Sequence, residues 1–129
     1  NTWLPRDTNY LTERIYERAA RVMGIDEDLF QKYHDSSPHH HSIAESLQVV
    51  RYKQNGEEYQ PHHDFVYPSI NHRFQPTRFA TLLLYLNDVP VGGETRFPRA
   101  VNNYNANGLE VQPKAGRAVL FYNILGGTG

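Results

Sequence analysis

The sequence predicts an α+β chain in which helices come first and short strands follow. Residues 9–23 carry apolar side chains at helical spacing. After residue 46 the chain changes to short runs that are rich in β-branched and aromatic side chains. Glycine, proline and asparagine separate those runs at turn positions. This order of elements indicates a β-sandwich or barrel with preceding helices.

The amphipathic helix is predicted over residues 9–23. Its apolar face is formed by residues three and four apart and by their neighbours: Leu11, Ile15, Tyr16, Ala19, Ala20, Val22 and Met23. Asp7 or Thr8 is expected to cap the start of the helix, because their side-chain oxygens can accept from free backbone N–H groups. Gly24 is expected at its C-terminal end, where a left-handed conformation is common.

The other predicted elements are shorter. A second helix is expected to begin at Asp26 and to bury Leu29, Phe30 and Tyr33. The expected strands are residues 47–53, 58–66, 78–86, 95–97, 109–112 and 117–122.

The composition excludes several classes of protein. A chain of 129 residues suffices for one domain and is too short for two. Its net charge of -1 argues against a general nucleic-acid binder, which carries a basic excess. No apolar run approaches the ~20 residues that a membrane-spanning helix needs. Without cysteine, the chain has no disulfide, thiolate metal site or cysteine nucleophile.

Two histidine-containing segments are candidates for metal binding. His39, His40 and His41 are consecutive, so they cannot all face one ion from a regular element, and a solvated loop is the favoured interpretation. His62 and Asp64 are two residues apart, and in a strand their side chains would point to the same face. One imidazole and one carboxylate form two thirds of a facial triad, which favours Fe(II). On the spacing alone, a surface strand that contains a hydrogen-bonded histidine is the favoured interpretation.

The sequence around His62 and Asp64 favours metal binding over the surface strand. The segment 46–123 resembles the catalytic core of the 2-oxoglutarate- and Fe(II)-dependent dioxygenases, specifically the prolyl 4-hydroxylase family. The matching runs are LQVVRY at 47–52, YQPHHDF at 59–65, RFATLLLYLN at 78–87, GGETRFP at 92–98 and VQPKAGRAVLFYN at 111–123. The run WLP at 3–5 and the first helix are also similar to the lead-in of that family.

The resemblance implies a fold and a domain organisation. The expected fold is α+β, with N-terminal helices packed on a double-stranded β-helix, or jelly-roll, core that lacks its last strands. Residues 1–129 are then one partial dioxygenase domain, with a helical lead-in and loop over 1–45 and the jelly-roll core over 46–129.

The resemblance also implies roles for individual residues. His62 and Asp64 match the first two iron ligands, and Tyr52, Tyr85 and Thr81 match the lining of the 2-oxoglutarate pocket. A phenol suits such a pocket because it donates one hydrogen bond and its ring excludes water. Ordinary packing of the two tyrosines is the alternative. The run GGET at 92–95 is interpreted as a structural turn whose Glu94 pairs locally.

The implied activity is hydroxylation of peptidyl proline at C4. Fe(II), 2-oxoglutarate and O₂ are the expected cofactor and cosubstrates, and ascorbate is the expected reductant. The expected partner is a proline-containing peptide or protein, with the loop 66–77 expected to be mobile and to cover it. No nucleic acid and no membrane span are expected. The secretory pathway is the favoured location, and the cytoplasm is the alternative.

The family completes its site with a second histidine and, roughly ten residues later, a lysine or arginine that pairs with 2-oxoglutarate. Neither is expected within the 129 residues, because His34, His39–His41, His72 and Lys114 occupy other positions. The native protein is therefore expected to continue beyond Gly129.

Two other functions stay open. In the first, the chain is a catalytically silent structural or proline-rich-peptide-binding subunit, with a protein partner that covers the open sheet edge. In the second, it is another oxygenase of the same superfamily, acting on an amino acid, a nucleobase or a lipid.

Overall fold

The computed structural model describes residues 1–30, 43–53, 56–65, 78–101, 103–104 and 106–124. The chain forms two compact units, Asn1–Glu57 and Glu58–Gly129. The predicted single domain, with its division after residue 45, stays a prediction. The expectations about His34, His39–His41, His72 and the loop 66–77 lie outside the described residues.

Helix α1 of the first unit spans Tyr10–Met23 and begins after Asn9. The Asn9 side-chain oxygen accepts from the backbone N–H groups of Leu11 and Thr12, at 2.8 and 3.1 Å. In return, the Thr12 hydroxyl accepts from the Asn9 backbone N–H at 3.1 Å. This capping box satisfies backbone donors that the first helical turn leaves free.

The predicted N-terminal cap was wrong, whereas the predicted C-terminal residue is confirmed. Asp7 and Thr8 belong to a separate 3₁₀ turn, Arg6–Thr8, in which the Thr8 hydroxyl donates to the Pro5 carbonyl at 2.7 Å. Because this turn precedes the helix, the capping position falls on the next residue. Gly24 ends the helix in the left-handed region, at φ 64°.

The buried face of α1 differs from the predicted one. Three helical residues are buried: Thr12, Tyr16 and Ala20. Leu11 and Val22, which were expected inside, are 69% and 65% exposed. The Tyr16 hydroxyl donates to the Glu45 carbonyl at 2.6 Å, so the polar end of this ring is satisfied inside the unit. Hydrophobicity alone does not predict this buried face, because two of its three residues, Thr12 and Tyr16, carry a polar hydroxyl group.

A second helix does follow, as a 3₁₀ turn over Glu27–Phe30. The Asp26 side chain accepts from the backbone N–H of Asp28 at 3.1 Å, which fits its predicted capping role. Leu29 is half exposed rather than buried. The side chain of Phe30 and all of Tyr33 lie outside the described residues.

The first unit also contains a small sheet. Strand β1, Thr2–Leu4, pairs antiparallel with β2, Leu47–Val49. The prediction extended β2 to residue 53 and missed β1. A strand of three residues is too short to show an alternating pattern.

The second unit contains two further antiparallel pairs. Strand β3, Ala80–Leu84, pairs with β6, Ala118–Tyr122. Strand β4, Thr95–Phe97, pairs with β5, Leu109–Val111. All four were predicted to within two residues at each end.

The two pairs pack on one another through aromatic side chains. The rings of Phe97 and Phe121 meet edge to face, with their centroids 5.1 Å apart. Thr81 lies opposite Phe121 in the ladder, so its side chain shares this inner face. The inner face of β3 therefore carries the threonine of the candidate site.

The predicted strand over residues 58–66 was wrong for its described part, since residues 58–65 pair with no strand there. Pro61 lies in the middle of this segment and has no N–H to donate to a ladder.

The described residues form three two-stranded sheets and no closed barrel. Within the same residues, no helix is long and apolar enough to cross a membrane.

Candidate metal centre

His62 and Asp64 approach each other on a segment without regular secondary structure. The Nε2 atom of His62 lies 3.0 Å from Oδ1 of Asp64. The His62 side chain is 45% exposed, whereas that of Asp64 is 12% exposed. The irregular backbone of this segment therefore brings together the two side chains that the sequence singled out.

The orientation of the His62 ring is set by its neighbours. Its Nδ1 lies 2.8 Å from the backbone carbonyl oxygen of Gln60. Because a carbonyl oxygen only accepts, this contact is a hydrogen bond in the tautomer whose proton is on Nδ1, and in that tautomer Nε2 carries the lone pair. The ring of Tyr59 packs edge-on against the imidazole, with centroids 4.2 Å apart. The nitrogen that faces Asp64 is therefore the one that can ligate a metal.

The Asp64 carboxylate has different partners on its two oxygens. Oδ2 accepts a hydrogen bond of 2.5 Å from the Thr81 hydroxyl, a length typical of a charge-assisted bond. Oδ1 faces His62, and Nη1 of Arg78 lies 3.9 Å from the same oxygen. Oδ2 is thus engaged by the protein, while Oδ1 points toward the lone pair of His62.

Thr81 is positioned by the pairing of β3 with β6. Directly opposite lies Phe121, and two residues further along the chain Asn123 follows the end of β6. The Asn123 side-chain amide donates to the Thr81 hydroxyl at 3.0 Å. Sequence reasoning did not assign Asn123 a role. Its even offset from Phe121 was the available signal, because residues two apart share one face.

Tyr85 follows β3 and makes polar contacts on the same inner face. Its hydroxyl lies 2.6 Å from Oγ1 of Thr95 and 3.3 Å from the carbonyl oxygen of Val111. These contacts connect the phenol to β4 and β5 rather than to Asp64. The predicted contact of Tyr85 with 2-oxoglutarate stays a prediction.

The sequence also singled out Tyr52 and Glu94. Tyr52 belongs to the first unit and is 51% exposed, and its pocket role stays a prediction. The Glu94 carboxylate accepts from the Gln112 side chain at 2.9 Å, which is a contact across the β4–β5 pair rather than within the turn. That hydrogen bond is the main reason why the pKa of Glu94 lies below its ordinary value.

The donor set fits two positions of a facial metal site. Imidazole nitrogen and carboxylate oxygen are the ligand types of non-haem Fe(II) centres that keep positions open. The carbonyl of Gln60 holds His62 in the manner typical of a ligating histidine, whose other nitrogen usually donates to an acceptor. Across the described part of the chain, no cluster of three histidine, cysteine, aspartate or glutamate side chains is placed to hold a metal ion.

Comparisons with known proteins agree with this chemistry. A family model described as the 2OG-Fe(II) oxygenase superfamily matches residues 47–125. The chain is similar to three proteins of Arabidopsis thaliana, in each case over 63% of this chain. It is 42% identical over 93 residues to probable prolyl 4-hydroxylase 10. The identity is 41% over 93 residues to prolyl 4-hydroxylase 5 and 37% over 95 residues to prolyl 4-hydroxylase 2. The matches cover 32%, 32% and 31% of these relatives, so the chain spans about a third of their length.

Proposed function

The chain belongs to the 2OG-Fe(II) oxygenase superfamily and to its prolyl 4-hydroxylase family, and from this premise we propose that it hydroxylates peptidyl proline at C4. The expected fold of such a domain is the jelly roll. We propose that the two strand pairs of the second unit form part of a double-stranded β-helix and that the N-terminal helices pack on that core.

The observation that carries the proposal is the approach of His62 to Asp64. Their ligating atoms, Nε2 and Oδ1, lie 3.0 Å apart, and each side chain is oriented by a hydrogen bond on its other polar atom. Side chains held in this way need little rearrangement to bind a metal ion. His62 and Asp64 are proposed to be two of the iron ligands.

Bound Fe(II) would supply the oxidising chemistry, in which 2-oxoglutarate and O₂ are converted to succinate and CO₂ as the proline gains a hydroxyl group. The protein's part is to hold and orient. In the tautomer that donates from Nδ1 to the Gln60 carbonyl, His62 presents the lone pair of Nε2 to the metal. Asp64 contributes a negative charge, and its low exposure limits competition from water. Ascorbate is proposed as the reductant.

Tyr85 and Tyr52 are proposed to line the 2-oxoglutarate pocket. Support for Tyr85 comes from its place on the inner face that also carries Thr81. A phenol on this face can donate a hydrogen bond to a carboxylate while its ring excludes water.

The substrate is proposed to be a proline-containing peptide or protein, because the similar proteins are named prolyl 4-hydroxylases. We further propose a location in the secretory pathway, on the family resemblance. A fluorescent fusion of the full chain, meaning the native full-length protein here and in the experiments below, would test the location. A purely cytoplasmic signal would contradict it.

The test of the activity is an assay of the full chain with Fe(II), 2-oxoglutarate, ascorbate and a proline-rich peptide. Succinate is expected to form in step with hydroxyproline, and a matched peptide with alanine in place of proline is expected to give neither above background. Binding of the proline-rich peptide without any succinate would contradict the enzyme and favour the catalytically silent subunit. Succinate formation that is stimulated only by a non-peptide substrate would favour another oxygenase of the superfamily.

A further inference from the structure

A chain of hydrogen bonds leads from Asn123 to Asp64. The Asn123 amide nitrogen lies 3.0 Å from the Thr81 hydroxyl, and that hydroxyl lies 2.5 Å from Oδ2 of Asp64. The backbone N–H of Asn123 also donates to the Phe79 carbonyl at 2.8 Å. Both ends of the Asn123–Thr81 contact are therefore fixed by the paired strands β3 and β6.

These two hydrogen bonds can point in one direction only, from Asn123 to Thr81 and from Thr81 to Asp64. An ionised carboxylate accepts hydrogen bonds and donates none, so the single hydroxyl proton of Thr81 is directed to Asp64. The remaining capacity of the hydroxyl oxygen is to accept, and it must therefore meet a donor. The amide NH₂ group of Asn123 is such a donor, whereas a carboxylate at that position would not be.

We propose that Asn123 is a positioning residue of the metal centre, acting through Thr81 to hold Oδ2 of Asp64 and leave Oδ1 as the ligating oxygen. This inference rests on the proposed iron site. A carboxylate held on one oxygen occupies one coordination position of the metal. Without the Thr81 hydroxyl, both oxygens of Asp64 are free to bind the same metal ion. The carboxylate would then occupy two coordination positions instead of one.

A purely structural role for Asn123 predicts something different. Its contacts would then stabilise the β3–β6 pair, and their loss would lower the unfolding temperature with no specific effect on the bound metal. The decisive readout is therefore a metal spectrum. Co(II) serves as the probe, because its d–d absorption depends on the number and geometry of its ligands.

The experiment titrates the metal-free full chain and its variants with Co(II). Thr81→Val removes the hydroxyl at nearly constant shape, and a change of the d–d band with about tenfold weaker binding is expected. Thr81→Ser keeps the hydroxyl and is expected to restore the wild-type band. Tyr122→Phe is the control, because this exposed residue lies on the outer face of the same strand pair and should leave the band unchanged.

Asn123→Asp is the sharpest variant, because it keeps the shape of the side chain and exchanges the donor for an acceptor. The new carboxylate would compete for the Thr81 proton, so the band is expected to change in the same sense as in Thr81→Val. The band decides here rather than the affinity, since an added negative charge by itself strengthens cation binding. In a Thr81→Val background, Asn123→Asp is expected to add no further change to the band.

Asn123→Ala provides a second variant if the aspartate variant does not fold. Thr81 then keeps its proton but loses its orienting donor, and a band between those of wild type and Thr81→Val is expected. A wild-type band in both Asn123 variants would overturn the positioning role while leaving the iron site intact. The positioning role would also be overturned if Asn123→Asp changed the band equally in the wild-type and in the Thr81→Val background. Failure of the wild-type chain to bind Co(II) would instead overturn the iron site, and the positioning role with it.

Discussion

The Nε2 atom of His62 lies 3.0 Å from Oδ1 of Asp64, while the ring's other nitrogen is 2.8 Å from the Gln60 carbonyl oxygen. In the neutral ring, two lone pairs therefore face one another across a short distance. Such an arrangement is stabilised by a cation between them. Replacing His62 is therefore the most direct way to test whether this pair of side chains binds a metal ion.

Replacing His62 by alanine is expected to abolish Mn(II) binding by the full chain, because half of the described ligand pair is lost. The matched control is His63→Ala, which changes an exposed neighbour and should leave the affinity within about twofold. Isothermal titration with Mn(II) measures both. Equal losses of affinity in the two variants would show that the effect is not specific to the proposed ligand.

Tyr85→Phe is expected to lower the free energy of unfolding by about 1 kcal/mol, the usual contribution of one hydrogen bond. The reason is that the hydroxyl connects β3 to Thr95 and Val111. If the proposed pocket role is right, the KM for 2-oxoglutarate also rises. Urea unfolding and initial rates measure the two effects, with Tyr122→Phe as an exposed control on the same strand pair. An unchanged stability in Tyr85→Phe would contradict the structural part of this prediction.

Gly108→Ala is expected to destabilise the second unit more than Gly116→Ala. Both glycines have positive φ angles, 87° and 79°, so each substitution strains the backbone by about 1–3 kcal/mol. At Gly108 a Cβ atom would also lie 2.6 Å from the Phe97 carbonyl oxygen, whereas nothing lies within 4 Å at Gly116. The steric part should add a further ~1–3 kcal/mol. Equal midpoints in urea unfolding would refute the close approach.

The first unit is expected to lose stability in alkali through Tyr16. Burial raises the pKa of this phenol above its ordinary value of 10.0, despite opposing contributions that include the nearby positive charge of Arg6. The neutral phenol is therefore favoured in the folded state. Its contribution is fully present below pH 10.0 and is lost as the pH rises through the raised pKa.

Tyr16→Phe separates this effect from general alkaline damage. At neutral pH the variant is expected to be about 1 kcal/mol less stable, because it lacks the hydrogen bond to Glu45. Above pH 10.0 the difference should shrink, since phenylalanine has no proton to lose. Urea unfolding at several pH values checks this. A difference that stays constant through the alkaline range would contradict the prediction.

The parts that sequence predicted well are those with a local signal. The strands of the second unit were found because apolar runs are bounded by turn residues, and the helix was found because its period is regular. The choice of Asn9 over Thr8 as cap was not predictable, because it depends on whether the preceding residues form a turn of their own.

In the candidate site, too, the features with a local sequence signal were predicted and those that depend on strand pairing were not. The spacing of His62 and Asp64 predicted their approach, although it assumed a strand that Pro61 does not favour. The link from Asn123 to Thr81 joins residues 42 positions apart, and only the pairing of β3 with β6 brings them together. A contact of this kind depends on tertiary register, which a motif does not contain.

The most direct test of the proposed activity follows the two atoms of O₂. The full chain is incubated with Fe(II), 2-oxoglutarate, a proline-rich peptide and isotopically labelled O₂, and both products are analysed by mass spectrometry. One labelled oxygen atom is expected in the hydroxyproline and one in the succinate, and neither should form with His62→Ala. Labelled peptide without labelled succinate, or unchanged peptide in the wild type, would contradict a 2-oxoglutarate-dependent prolyl hydroxylase.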